Sequence, residues 1–311
     1  SGTLNMNPSL EINLAGIRMK NPVMVASGTF GYGPEYADLV DLKQLGAIVV
    51  KGISLAPWGG NKTPRMVEVP GGLINAIGLQ NPGVKGFIGK YMPFLRQHDI
   101  AVIVNIWGKT LEEYAEVAAH FDNVEGVHGL EINISCPNVK AGGSSFGTNL
   151  DSTARVVAAV RARTRLPIIP KLAPNVSDIG AFAKVCVENG ADAISLINSF
   201  PAMAIDIETR QPILANNSGG LSGPAIHPIA VKLVYEAARA VNVPLIALGG
   251  IMSARDAIEF MIAGAGAVAV GTANFTEPST SLQVIDGIRD YLVRHKIGNV
   301  REIVRSIRIH S

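Results

Sequence analysis

Cysteine is scarce in this chain, with two in 311 residues, Cys136 and Cys186. Two thiols cannot by themselves ligate an iron–sulfur cluster or a four-cysteine zinc site. A disulfide framework is improbable in a chain this long. No metal site is expected, and a reducing, cytoplasmic setting is the default. Charge is sparse as well. Charged residues make up 17% of the sequence and the net charge is +2, which gives no electrostatic commitment to nucleic acid. No apolar run approaches the roughly 18 residues needed to span a bilayer. Ser1 to Pro8 carry no basic stretch followed by an apolar one, so no signal peptide is expected.

Apolar residues are plentiful at 48%, enough to fill a large core and to exclude disorder. Thirty-three Gly and 18 Pro are scattered between apolar runs, a distribution that suits many short connections. Eight short β-rich runs recur: Pro22–Ala26, Ala47–Val50, Ala101–Val104, Gly129–Ile132, Pro167–Pro170, Asp192–Ile197, Pro244–Leu248 and Gly266–Val270. Read as apolar throughout rather than alternating, they suit parallel strands covered on both faces. Amphipathic segments lie between them, including Leu111–Phe121, Ser177–Asn189, Pro228–Ala240 and Ser253–Ala263. Thr110, Ser177 and Ser253 are expected to cap three of these helices.

Eight such alternations predict an α/β fold, a (β/α)₈ TIM barrel forming a single domain over residues 1–311. An open doubly wound sheet would carry a dinucleotide fingerprint after its first strand. Ser27 to Gly33 is glycine-rich but lacks that spacing. Three connections, Gly52–Asn81, Ser135–Leu150 and Ser199–His227, are unusually long. All follow the C-terminal ends of strands, the face on which barrel enzymes build their active sites, and they are expected to carry a lid and substrate contacts.

The residues at those strand ends form a pattern that a core does not require. In order they are Ser27, Lys51, Asn105, Asn133, Lys171, Asn198, Gly249-Gly250 and Gly271-Thr272. One Asn is an ordinary turn former and one Lys an ordinary solvated cation. Two Lys and three Asn at one barrel mouth would be costly to desolvate without a polar occupant, so an anionic ligand rich in heteroatoms is expected. Backbone amides after the seventh and eighth strands commonly cradle a phosphate. Gly249, Gly250, Gly271 and Thr272 suit that task, and Gly223 could add another amide. Lys171 suits a flavin, because a cation near the ring's N1 and O2 stabilises the reduced form. Lys51 could serve the ring or a substrate carboxylate.

Cys136 lies just past the fourth strand, within Asn133-Ile134-Ser135-Cys136-Pro137-Asn138. A thiol is a usable general base near neutral pH when its pKa is modestly depressed. An inert packed thiol is the alternative, and Cys186, in an apolar helical segment, is expected to be one.

Asn133 to Lys140 followed by Ala141 to Gly147 resembles the catalytic loop of class 1 dihydroorotate dehydrogenases, most closely the 1B branch. Asn75-Ala76-Ile77-Gly78-Leu79-Gln80-Asn81-Pro82-Gly83 resembles that family's substrate loop. Leu214-Ala215-Asn216, Gly219 to Ala225 and Ala269 to Ala273 also match, and the similarity runs from about Leu10 to Asp290. The resemblance implies a dihydroorotate dehydrogenase of pyrimidine biosynthesis that binds FMN through Ser27, Lys51, Gly52, Asn105, Asn133, Lys171, Ile197, Gly223, Gly249, Gly250, Gly271 and Thr272. It implies that Lys51, Asn75, Ala76, Ile77, Gly78, Leu79, Asn133, Asn198 and Ser199 hold the pyrimidine. It gives Cys136 the proton at C5 of dihydroorotate while C6 delivers hydride to the flavin.

Class 2 members use Ser as base and carry a membrane-associating extension, so they match less well. The 1A branch also uses Cys but is a stand-alone homodimer that reduces fumarate. The 1B branch pairs a homodimeric core with a subunit carrying FAD and a 2Fe–2S cluster that passes electrons to NAD⁺. The loop wording favours 1B. A uracil-reducing relative and a non-catalytic flavin-binding scaffold remain the rival readings. Trp107 and Gly52-Ile53-Ser54 depart from the familiar pattern; Trp107 could lie beside the flavin or cover the barrel rim, and the rim is favoured.

Overall fold

The computed structural model describes residues 7–134 and 146–310. Eight parallel strands close into a barrel: β1 (Val23–Val25), β2 (Ala47–Ile53), β3 (Ala101–Ile106), β4 (Gly129–Asn133), β5 (Ile168–Leu172), β6 (Ile194–Leu196), β7 (Leu245–Leu248) and β8 (Ala267–Val270). Each pairs with its neighbours in sequence, and β8 pairs with β1 through Val268–Val23 and Val270–Val25. Every expected strand is present. These strands bury nearly every residue, because helices cover the outside and side chains fill the inside.

One feature of the apolar reading needs correction. β4 carries Glu131 and β6 carries Ser195, both essentially without solvent exposure. Asn105 Nδ2 donates to Glu131 Oε1 at 2.7 Å from the neighbouring strand, so the carboxylate is tied inside the wall of the barrel. A buried carboxylate without such a donor would be strongly penalised.

The helices follow the sequence closely. Leu111–Phe121 is capped by Thr110, whose hydroxyl accepts from the Glu113 amide. Ala254–Ala263 opens with Asp256 reaching back to the Ser253 amide at 3.0 Å. The third cap differs: Asp178, not Ser177, accepts from the Ala181 amide and starts the helix at Ile179. The carboxylate is the better partner for a helix N-terminus because it carries charge as well as an acceptor.

The first and third long connections are more ordered than lid loops. Their strands Met66–Val69, Gly72–Asn75, Gly219–Ser222 and Phe200–Ala202 pair antiparallel into one four-stranded sheet at the C-terminal end of the barrel. Ile74, Ala76 and Leu214 form a small core beneath it. At the opposite end a hairpin of Ile12–Leu14 and Ile17–Met19 packs its apolar face against the start of β4, where Ile17 Cδ1 lies so close to Gly129 that a Cβ there would sit 2.8 Å away.

Candidate active site

The C-terminal strand ends and the inserted sheet enclose a cavity of about 310 Å³, within the usual range for small-ligand sites. β1 delivers Ser27, β2 Lys51 and Gly52, β3 Asn105, β4 Asn133 and β5 Lys171. The segment after β6 adds Ile197, Asn198 and Ser199. Gly249 and Gly250 follow β7, and Gly271 and Thr272 follow β8. Gly223 enters from the third long connection. All twelve residues expected around a flavin therefore reach one cavity.

The substrate-loop residues divide. Asn75, Ile77, Gly78 and Leu79 line the cavity. Ala76 does not, because its side chain is fully buried in the small core under the sheet, while its carbonyl accepts from Asn61 Nδ2 at 3.0 Å. Cys136 and the loop around it lie outside the described residues.

Lys51, Arg65 and Lys171 are the charged residues among the described residues that line the cavity, so its electrostatic character is cationic. Lys171 is buried and its Nζ donates to Ser27 Oγ at 3.4 Å. Burial first, and then the nearby Arg65 guanidinium, hold the Lys51 pKa below its usual value, with Glu35 opposing them. Arg65 is braced by the Asn61 carbonyl at 3.2 Å and by Gln80 Oε1. An anion in this cavity would relieve the mutual repulsion of Lys51 and Arg65.

The asparagines are held from behind. Tyr114 Oη donates to the Asn133 carbonyl at 2.6 Å, and Asn198 Nδ2 lies 3.4 Å from Asn133 Oδ1. Asn198 Oδ1 in turn accepts from the Ser199 amide. Asn105 gives its amide nitrogen to Glu131, which leaves Oδ1 buried with no hydrogen-bond donor among the described residues. The glycines form a tight cradle. Gly223, Gly249 and Gly250 have φ of 105°, 132° and 66°, and a Cβ on Gly250 would lie 2.6 Å from the Gly223 carbonyl oxygen. Thr272 Oγ1 meets Ser222 Oγ at 2.7 Å, joining the end of β8 to the inserted sheet. A phosphate cradle needs this close approach of backbone amides, which side chains would block.

Several lining residues escaped the sequence reading: Arg65 just before the inserted sheet, Met66, Leu73 and Ser222 within it, and Phe275 after β8. Arg65 had a local signal, being the cation between Pro64 and the first inserted strand. Trp107 is buried over the rim, edge-on to Trp58 with ring centroids 6.1 Å apart. Trp58 donates its indole N–H to the Gly78 carbonyl, so the pair supports the substrate loop from outside the cavity.

The dihydroorotate dehydrogenase family profile matches residues 9–292. The chain is 55% identical over 302 residues to the dihydroorotate dehydrogenase B (NAD(+)) catalytic subunit of Geotalea daltonii, covering 97% of this chain and 99% of that one. It is 53% identical over 301 residues to the protein of the same name from Thermoanaerobacter pseudethanolicus, with 97% and 99% covered. With the profile spanning most of its length and relatives this similar end to end, the chain belongs to the dihydroorotate dehydrogenase family.

Proposed function

We propose that this chain is the FMN-bearing catalytic subunit of an NAD⁺-linked dihydroorotate dehydrogenase, converting dihydroorotate to orotate in pyrimidine biosynthesis. One observation carries the reading. Three cations, four asparagines and the Gly249-Gly250 turn converge on a single cavity, in a chain whose relatives bear that name. The cavity suits FMN on its own terms. A Cβ on Gly223, Gly249 or Gly250 would press within 2.8 Å of neighbouring protein atoms, so this backbone stays bare of side chains, as a phosphate cradle requires, and Asn105 Oδ1, which has no donor among the described residues, calls for one such as a ring N–H.

When bound, FMN supplies the hydride acceptor. The chain's own residues do the rest. Gly223, Gly249, Gly250, Gly271 and Thr272 would hold the phosphate end. Lys171, whose Nζ donates to Ser27 Oγ, would contact the flavin ring. Lys51 pairs with the substrate carboxylate, aided by the amides of the loop from Asn75 to Leu79. Asn75, Asn133 and Asn198 each offer both a donor and an acceptor, which matches the alternating N–H and C=O groups of a dihydropyrimidine. Cys136, three residues beyond Asn133 in the sequence, takes the proton from C5 onto its sulfur as C6 gives up hydride.

Among the described residues no helix is long and apolar enough to cross a membrane. A partner subunit carrying FAD and a 2Fe–2S cluster, arranged with a homodimer of this chain, would take the electrons on to NAD⁺; the words "catalytic subunit" in the relatives' names support a partner. The test is anaerobic flavin reduction by dihydroorotate and by dihydrouracil, which lacks the carboxylate. Rapid reduction by dihydroorotate alone is expected. Equal rates with both would overturn the substrate assignment.

A further inference from the structure

His227 opens the helix His227–Ala240 and is almost fully buried. Its Nδ1 lies 2.8 Å from the Gly249 carbonyl oxygen. A carbonyl only accepts, so Nδ1 carries the hydrogen whatever the state of the other ring nitrogen. Nε2 faces Glu259 Oε1 at 3.3 Å and Asp256 Oδ1 at 3.7 Å. The ring packs edge-on against Phe260 at 4.8 Å.

These contacts join three segments. His227 sits four residues after Gly223 in the sequence; its ring reaches the turn after β7; and its far edge faces the helix that follows that turn. Asp256 completes the tie, because its Oδ2 accepts from the amides of Met252 and Ser253. The turn itself is unusual: Gly249 and Gly250 have φ of 132° and 66°, and Gly250 abuts both the Gly223 carbonyl and His227 Cβ. A two-glycine turn has wide conformational freedom when unrestrained, and His227 is the side chain that bonds its backbone among the described residues.

We propose that His227 is a positioning residue for the phosphate end of the cofactor, locking the Gly249-Gly250 turn through its Nδ1–H so that the turn's amides face the bound anion. The proposal rests on the FMN reading above. Its physical basis is preorganisation: a turn already fixed does not lose conformational entropy when the anion binds. His227 touches neither substrate nor reacting atoms, so its effect falls on cofactor affinity and not on the chemical step.

The experiment measures FMN binding to deflavinated protein for wild type, His227→Phe, His227→Asn and His227→Gln, alongside the phosphorus NMR resonance of bound FMN and the Tm of each apoprotein. Phe keeps the ring packing but loses the donor. Asn sets an amide nitrogen near the position of Nδ1 and restores the donor; Gln carries its amide toward the carboxylates instead. The expected result is an FMN Kd raised at least tenfold in the Phe and Gln variants, with Asn within threefold of wild type and its phosphorus resonance unshifted. If Phe proves unable to fold, the contrast between Asn and Gln decides the matter alone. Equal affinity in all four proteins, or an equal loss in Asn and Gln, would overturn the role of His227 while leaving the FMN site intact. A wild-type chain that takes up no FMN would overturn both.

Discussion

Replacing Gly250 with Ala perturbs the cradle at its tightest point. The new Cβ would lie 2.6 Å from the Gly223 carbonyl oxygen and 2.8 Å from His227 Cβ, at a residue whose φ is +66°. Left-handed backbone costs a non-glycine residue roughly 1–2 kcal/mol, and forcing an extra methyl into packed surroundings adds about 1–3 kcal/mol. The sum is about 2–5 kcal/mol, which at roughly 2 °C per kcal/mol for a large domain lowers Tm by about 4–10 °C. Part of that strain can be relieved by moving Gly250 away from Gly223, and the cost then passes to the ligand. A displacement worth about 1.4 kcal/mol weakens FMN binding tenfold. Gly89→Ala is the control, because Gly89 lies exposed in the helix Gly83–Lys90 with nothing within 4 Å of an added Cβ. That change should stabilise slightly, by roughly 0.5–1 kcal/mol, through helix propensity. Thermal unfolding of the apoproteins and fluorescence titration with FMN measure both effects. A Gly250→Ala protein with wild-type Tm and an FMN Kd within twofold would refute the cradle geometry.

Two other consequences follow from the ionisable groups. Lys51 is held below its ordinary value of 10.5 by burial and by Arg65, so its charge is lost earlier than an exposed lysine's as pH rises. Orotate affinity should therefore fall through a pKa lying below 10.5, and Lys51→Met should bind weakly at every pH with that dependence gone; a wild-type affinity flat up to pH 10.5 would contradict the assignment. Cys186 is buried, and burial pushes its thiol up to about 12. Iodoacetamide should leave it untouched in native protein at pH 8 and modify it after denaturation; rapid native labelling of Cys186, located by peptide mass, would show the helix packing to be wrong.

The legible parts of the molecule were those set by local period and by barrel geometry. A parallel strand buried on both faces announces itself as a short apolar run, and its C-terminal residue must point into the mouth. Lys51, Asn105, Asn133 and Lys171 could therefore be placed together without knowing any distance. Residues joined by distant pairing were harder to read. The strand Gly72–Asn75 finds its partner in Gly219–Ser222, and nothing within either segment specifies that register. Arg65, Met66 and Leu73 reach the cavity only because that sheet forms. Ala76 fails for a simpler reason: side chains alternate along the end of the strand Gly72–Asn75, so Ile74 and Ala76 enter the small core while Asn75 between them lines the cavity. Glu131 was hidden by its apolar neighbours, although a lone charge in a barrel strand is itself a signal that a polar partner lies across the ladder. Ser177 and Asp178 are adjacent capping residues, and only the helix start distinguishes them.

The assignment of Cys136 as base is tested by anaerobic stopped-flow reduction of the flavin by dihydroorotate in Cys136→Ala. General-base catalysis contributes about 10²–10⁴-fold, so flavin reduction should slow by that factor at neutral pH while FMN remains bound with wild-type affinity. A Cys136→Ala enzyme whose flavin is reduced at the wild-type rate would contradict the account.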